Sequence, residues 1–124
     1  MERQVTTGRM RRVDEAVRQV IGDAVASELK DPRVGFVTVT DVRTSPDLRH
    51  ARVYVSVLGG GGEPSAPEER EDTLAGLRSA HGFLQARLAG ELRLKRTPAL
   101  EFVYDDTTDR AMRLEELIDR ETEQ

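Results

Sequence analysis

The sequence predicts an α+β fold whose elements run helix, strand, strand, helix, helix, strand, with one further helix at the C-terminus. Three observations lead there. Apolar residues recur at spacings of three and four in the segments assigned to helices, and β-branched or alternating runs occupy those assigned to strands. A short Ser-Pro-Asp turn joins the first two strands, which makes them an antiparallel hairpin. Two helices separate the second strand from the third, a crossover long enough to return it parallel to a neighbour. The helices are expected on one face of the sheet, leaving the other solvated or used.

The first helix runs from about Gly8 to Leu29. Met10, Val13, Val17, Val20, Ile21, Ala24 and Val25 make one apolar stripe, and Arg9, Arg11, Arg12 and Arg18 lie mainly off it. Thr6 and Thr7 are candidate N-caps. Lys30-Asp31-Pro32 ends the helix, because proline restricts its predecessor and breaks the hydrogen-bond ladder. The first strand covers Val34 to Val42, and its alternation fails near Asp41, the signature of a β-bulge. Thr44 to Leu48 is a turn. In the second strand Ala51, Val53, Val55 and Val57 alternate with Arg52, Tyr54 and Ser56.

Gly59 to Gly62, followed by Glu63 to Pro67, reads as a flexible connector. Ser65 and Glu68 have capping-box spacing, and Pro67 suits a first helical turn. The second helix, Pro67 to Ala80, turns Leu74 and Leu77 inward. The third, Gly82 to Leu92, turns Phe83, Leu84 and Leu88 inward, with His81-Gly82 as the kink between them. Pro98 precedes a third strand, Leu100 to Tyr104. Asp106 or Thr107 caps a last helix with Ala111, Leu114, Leu117 and Ile118 inward and a fraying acidic end. Phe36, Phe83 and Phe102 are assigned to the core, so little base stacking is expected.

Composition narrows the function. The 124 residues suit one domain. The absence of cysteine excludes a disulfide scaffold, a thiolate metal site and a cysteine nucleophile. No apolar run approaches the roughly 18 residues that cross a bilayer, and no apolar stretch follows the basic N-terminus, so a cytoplasmic protein without a membrane partner is expected. The net charge of −4 argues on its face against nucleic acid. Charge is segregated, however. Residues 63–72 carry −4 and residues 101–124 carry −6, whereas residues 1–20 carry +2 and residues 78–96 carry +4. Fields decay over about 8 Å at physiological salt, so a distant acidic segment does not cancel a basic face. Seventeen of the 19 cations are arginine, whose planar fork suits phosphate.

Nothing in the sequence supports catalysis. Ser45, Asp47 and His50 fall in one tight turn, where Asp47 is expected to bond its own backbone rather than complete a triad. Asp105, Asp106 and Asp109 suit a helix N-terminus better than a magnesium site. The glycine run lacks the Lys-Ser/Thr of a phosphate-binding loop, and two histidines make no metal site alone. No cofactor and no small-molecule substrate are expected.

Several segments together resemble ribosome-binding factor A, a bacterial family of small-subunit assembly factors. They are Arg9-Met10-Arg11-Arg12-Val13, Asp31-Pro32-Arg33-Val34, Val37 to Val42, Ser45 to Ser56, Leu84 to Leu94 and Thr97 to Phe102. The Asp-Leu-x-x-Ala-x-Val-Tyr-Val hairpin and the Pro-x-Leu-x-Phe strand carry most of the specificity. The resemblance implies a single KH-like domain of the second type over residues 5–120, with residues 59–67 as an internal loop and 121–124 as a frayed tail. It implies a monomer that binds 16S rRNA in the 30S subunit or its precursor, assists rRNA processing and acts in cold adaptation. Where related KH domains carry a Gly-x-x-Gly loop, this chain has Ala80-His81-Gly82, which points to docking on folded rRNA. The candidate contacts are Arg9, Arg11, Arg12 and Arg18, then Arg78, Ala80, His81, Gly82, Arg87, Arg93, Lys95 and Arg96, joined by Arg43, Arg49 and Arg52 from the hairpin. The alternative is a protein–protein adaptor using the acidic C-terminal helix and the open sheet face.

Overall fold

A computed structural model describes residues 8–34, 36–58, 65–93 and 96–107. They form α1 (Gly8–Ser27), β1 (Phe36–Thr44), β2 (His50–Leu58), α2 (Pro67–Ser79), α3 (His81–Glu91) and β3 (Ala99–Tyr104), in the predicted KH-like order. Thr6 and Thr7, the Gly59–Gly62 run, Lys95 and the expected last helix lie outside the described residues.

β2 is the central strand, antiparallel to β1 and parallel to β3. Its Ala51, Val53, Val55 and Val57 all point into the core. Leu100 and Phe102 of β3 lie beside Ala51 and Val53 on the same face. The helices close over that face: Val17, Ile21, Leu77, Leu84 and Leu88 are fully buried and belong to one cluster with the strand residues. No helix among the described residues is long and apolar enough to cross a membrane.

The bulge falls at Thr40. Val39 pairs with Val55 and Asp41 with Tyr54, so β1 spends one extra residue there. Uninterrupted alternation would turn Asp41 into the core and Val42 outward; the extra residue reverses both. Thr40 Oγ1 donates to Asp105 Oδ2 at 2.6 Å, and the Val42 N–H donates to Asp41 Oδ1 at 2.9 Å. In the following turn Leu48 adopts φ 58°, a left-handed conformation costing about 1–2 kcal/mol for a side chain with a Cβ. It is held by the Leu48 N–H to Ser45 O at 2.8 Å and the Arg49 N–H to Asp47 Oδ1 at 3.1 Å.

Segment 31–34 is the seat of α2. Thr73 Oγ1 donates to Arg33 O at 3.2 Å, and Arg33 Nη2 donates to Ser79 Oγ at 3.0 Å. Gly76 allows the approach, since a Cβ there would stand 2.7 Å from Val34 Cγ2.

Three expectations need correction. Phe36 is not core: it pairs with Leu58 on the open sheet face, because the inward position belongs to Val37 opposite Val57. Phe83 is also half-exposed, because Leu84 and Leu88, four apart, take the buried stripe and leave Phe83 a residue round the helix. Ser65 does not cap α2. The N-cap is Ala66, with no side-chain cap bond, while buried Ser65 accepts from Arg70 Nε at 3.2 Å. Pro67 and the acids Glu68 and Glu69 in the first turn serve that helix end instead.

Candidate nucleic-acid interface

Folding sorts the candidate arginines by what lies next to them. Arg18 is clamped by Glu15, one turn earlier on α1, with Nε to Oε2 at 2.9 Å. That bond holds the Glu15 carboxyl below its usual pKa and raises that of the guanidinium. Arg43 reaches Asp41 at 3.0 Å, and Arg52 reaches Glu101 across the β2–β3 pair at 3.7 Å. Arg49 approaches Asp47 at 4.0 Å, and Arg87 bridges Glu28, just past the end of α1, at 3.0 Å and Glu91 at 3.5 Å. Each pair is exposed and adds little to stability. Its consequence is electrostatic: a guanidinium shared with a carboxylate presents almost no net charge to a phosphate.

Arg9, Arg11, Arg12, Arg78, Arg93 and Arg96 differ. Among the described residues none of them is paired with a carboxylate. Arg9, Arg11 and Arg12 occupy the first turns of α1, which contain no acid in the first turn. Cations there oppose the helix dipole, at a cost of about 0.3–1 kcal/mol each. They therefore do not serve the helix, and they reinforce its positive end.

The tertiary fold brings Arg93, just past α3, to Arg9 and Arg12. The three arginines, with Val13, Ala16 and Leu92, line an open groove of about 460 Å³ whose wall carries no carboxylate among the described residues. On the other side of α1, Arg11 and Arg18 share a cleft with Arg43, but Asp14, Glu15 and Asp41 line it too. Asp14 is committed there, accepting from the Thr44 N–H at 2.9 Å and from Thr44 Oγ1 at 2.6 Å.

Not all the sequence candidates share one face. Arg43 and Arg52 are cross-strand neighbours on the open side of the sheet, away from α2 and α3, with His50, Tyr54 and Glu101 around them. Arg49 sits in the hairpin turn. Arg78, Ala80, His81 and Gly82 mark the α2–α3 junction, roughly 16 Å along the α3 axis from Arg93. There Ala80 is the single residue between helices, and its N–H donates to Gly76 O and Leu77 O, both at 3.1 Å. His81 and Gly82 are exposed in the first turn of α3, and the N–H groups of the junction donate to the last carbonyls of α2, those of Gly76, Leu77 and Arg78. Arg96 is exposed before β3.

The Ser45 hydroxyl donates to Asp47 Oδ1 at 2.5 Å and accepts from the His50 N–H at 3.1 Å. Its proton thus goes to the Asp47 carboxylate and a lone pair to the His50 N–H, both within the turn.

Comparison with known proteins agrees with this architecture. The family profile of ribosome-binding factor A matches residues 9–118. The crystal structure of ribosome-binding factor A from Thermus thermophilus superposes with a TM-score of 0.64 at 30% identity, over 77% of this chain and 93% of that one. The solution structure of a Thermotoga maritima protein described as a putative ribosome binding factor A gives 0.66 at 35% identity, over 77% and 86%. A Thermus thermophilus homology model fitted into the cryo-EM map of a 30S–RbfA complex gives 0.58 at 28% identity, over 76% and 92%. With the profile spanning most of the sequence and the strand order, hairpin and helix pair all in place, the chain belongs to the ribosome-binding factor A family.

Proposed function

We propose that this chain is a non-catalytic assembly factor that docks on 16S rRNA of the 30S subunit or its precursor through the start of α1 and the end of α3. Arg9, Arg12 and Arg93 are the principal phosphate contacts, Arg11 on the other side of α1 and Arg96 before β3 are lesser ones, and the Arg78–Gly82 junction makes a second contact. The observation that carries the reading is the convergence of Arg9, Arg12 and Arg93 on one wall, with no carboxylate there among the described residues. The 30S complex of the Thermus thermophilus relative supports the same target. Arginine forks and helix N-termini set affinity and register on the rRNA backbone rather than selecting sequence. Holding an immature rRNA segment in place is how such a factor assists 16S processing and cold adaptation.

The test is co-sedimentation with purified 30S subunits. Arg9→Glu with Arg12→Glu is expected to abolish it while leaving the thermal unfolding midpoint within a few degrees of wild type. Undiminished binding by that variant refutes the interface. The adaptor reading keeps one specific observation, the exposed Phe36–Leu58 pair at one end of the open sheet face. A protein partner retained after RNase treatment, and lost on Phe36→Ser, would favour it.

A further inference from the structure

We infer that the groove between the first turns of α1 and the end of α3 receives one unstacked RNA nucleotide, its base on the apolar floor and its phosphate among the arginines. The inference rests on the RNA-binding reading above and specifies which form of RNA that surface takes.

The floor carries the argument. A surface built only for the backbone of an RNA helix needs cations and has no use for an apolar floor, because a duplex presents its phosphates outward and hides its base faces in the stack. This surface instead sets Val13, Ala16 and Leu92 between the arginines. Its volume of about 460 Å³ lies in the roughly 300–1,000 Å³ range of small-ligand clefts. Covering such an apolar recess with a flat apolar group is favourable in proportion to the area removed from water. An extruded base is such a group, and guanidinium planes stack on base faces while their N–H groups bind the adjoining phosphate. Charge complementarity points the same way. The groove on the opposite side of α1 mixes three arginines with three carboxylates, whereas every charged side chain among the described residues of this wall is an arginine. Arg12 is already turned along its helix, with Nε 3.4 Å from Gly8 O, and Arg9 and Arg93 are exposed.

The experiment titrates the full chain by fluorescence anisotropy into two labelled RNA hairpins. One is fully paired, and the other carries a single bulged 2-aminopurine. The bulged hairpin is expected to bind about fivefold more tightly, consistent with the contribution of one stacked base, and the 2-aminopurine emission is expected to change on binding. Ala16→Leu fills the floor without touching a charge, in a residue type that suits helix. It is expected to remove the preference for the bulged hairpin. Equal affinity of the wild-type chain for the two hairpins overturns the inference, as does a preference that survives Ala16→Leu. Tighter binding of an oligoglutamate peptide than of the bulged hairpin also overturns it and assigns the groove to a protein. The wild-type comparison needs no variant, so a poorly folding Ala16→Leu chain leaves the test intact. If 30S binding stays sensitive to Arg9 and Arg12 while no bulge preference exists, this inference fails alone. If 30S binding ignores those arginines, the RNA-binding reading fails with it.

Discussion

Replacing Arg9 and Arg12 together by glutamine should change the salt dependence of 30S binding by a calculable amount, and replacing Glu15 and Arg18 together should not. The first pair of side chains has no carboxylate partner among the described residues, so each is available to displace counterions from one phosphate. Each such contact contributes about 0.7–0.9 to the slope of log K against log salt. The Arg9→Gln, Arg12→Gln chain should therefore lose about 1.4–1.8 from that slope. Between about 50 and 200 mM KCl at fixed magnesium, wild-type affinity should then fall about tenfold further than that of the variant. The Glu15→Gln, Arg18→Gln chain removes a pair already neutralised internally, so its slope should match wild type. Quantitative co-sedimentation or anisotropy with labelled protein reads all three chains. Stability provides an internal control with a definite sign. Removing cations from the positive end of α1 relieves a dipole conflict, so the unfolding midpoint of Arg9→Gln, Arg12→Gln should stay level or rise slightly. Equal slopes for wild type and that variant would refute the reasoning, as would an equally large effect of the Glu15–Arg18 replacement.

Other predictions concern the scaffold. Gly76→Ala should destabilise the protein by about 1–3 kcal/mol in urea titration, since the new Cβ would meet Val34 Cγ2 at 2.7 Å. Gly90→Ala, with nothing within 4 Å of the added carbon, should instead stabilise α3 by about 0.5–1 kcal/mol. Asp14→Ala strips the Thr44 N–H and hydroxyl of their acceptor while Thr44 stays 1% exposed, which should cost about 1–3 kcal/mol. Asp31 is held at about 2, against an ordinary value of 3.8, chiefly by its bonds from the Arg33 side chain. A depressed carboxylate stabilises the fold above its unfolded pKa and loses that contribution as pH falls from about 4 to about 2. Asp31→Asn should therefore show a smaller drop in thermal midpoint than wild type when pH is lowered across that window.

Much of the fold is legible because its signals are local. The α1 stripe and the β2 alternation follow from periods of 3.6 and 2 that any packing partner must respect. The Thr40 bulge is visible as a parity failure, since Asp41 cannot be buried and Val42 is best buried. Residue type alone misassigns Phe36 and Phe83. Each sits one position away from the buried stripe, and side-chain direction is set by backbone parity rather than by hydrophobicity. The Ser65 capping box fails similarly: its spacing is right, but the hydroxyl is buried against Arg70 rather than turned to the helix end.

The candidate site divides along the same line. Glu15–Arg18 and Arg87–Glu91 are visible as helical spacings of three and four, and Asp41–Arg43 as a strand spacing of two, so their mutual neutralisation is readable in advance. Arg52–Glu101 and Arg87–Glu28 are not, because each joins elements whose pairing or packing exists only in the folded chain. The amino-acid sequence by itself determined the element order and the separation of acidic from basic segments, because periodicity and composition act over a few residues, and its motifs carried the resemblance to the family. Only the tertiary structure decided which arginines remain unpaired, that Arg93 meets Arg9 and Arg12 over an apolar floor, and that Arg43 and Arg52 lie on the open sheet face. Those outcomes depend on distances between residues remote in the chain, and Coulomb and hydrogen-bond energies are set by such distances.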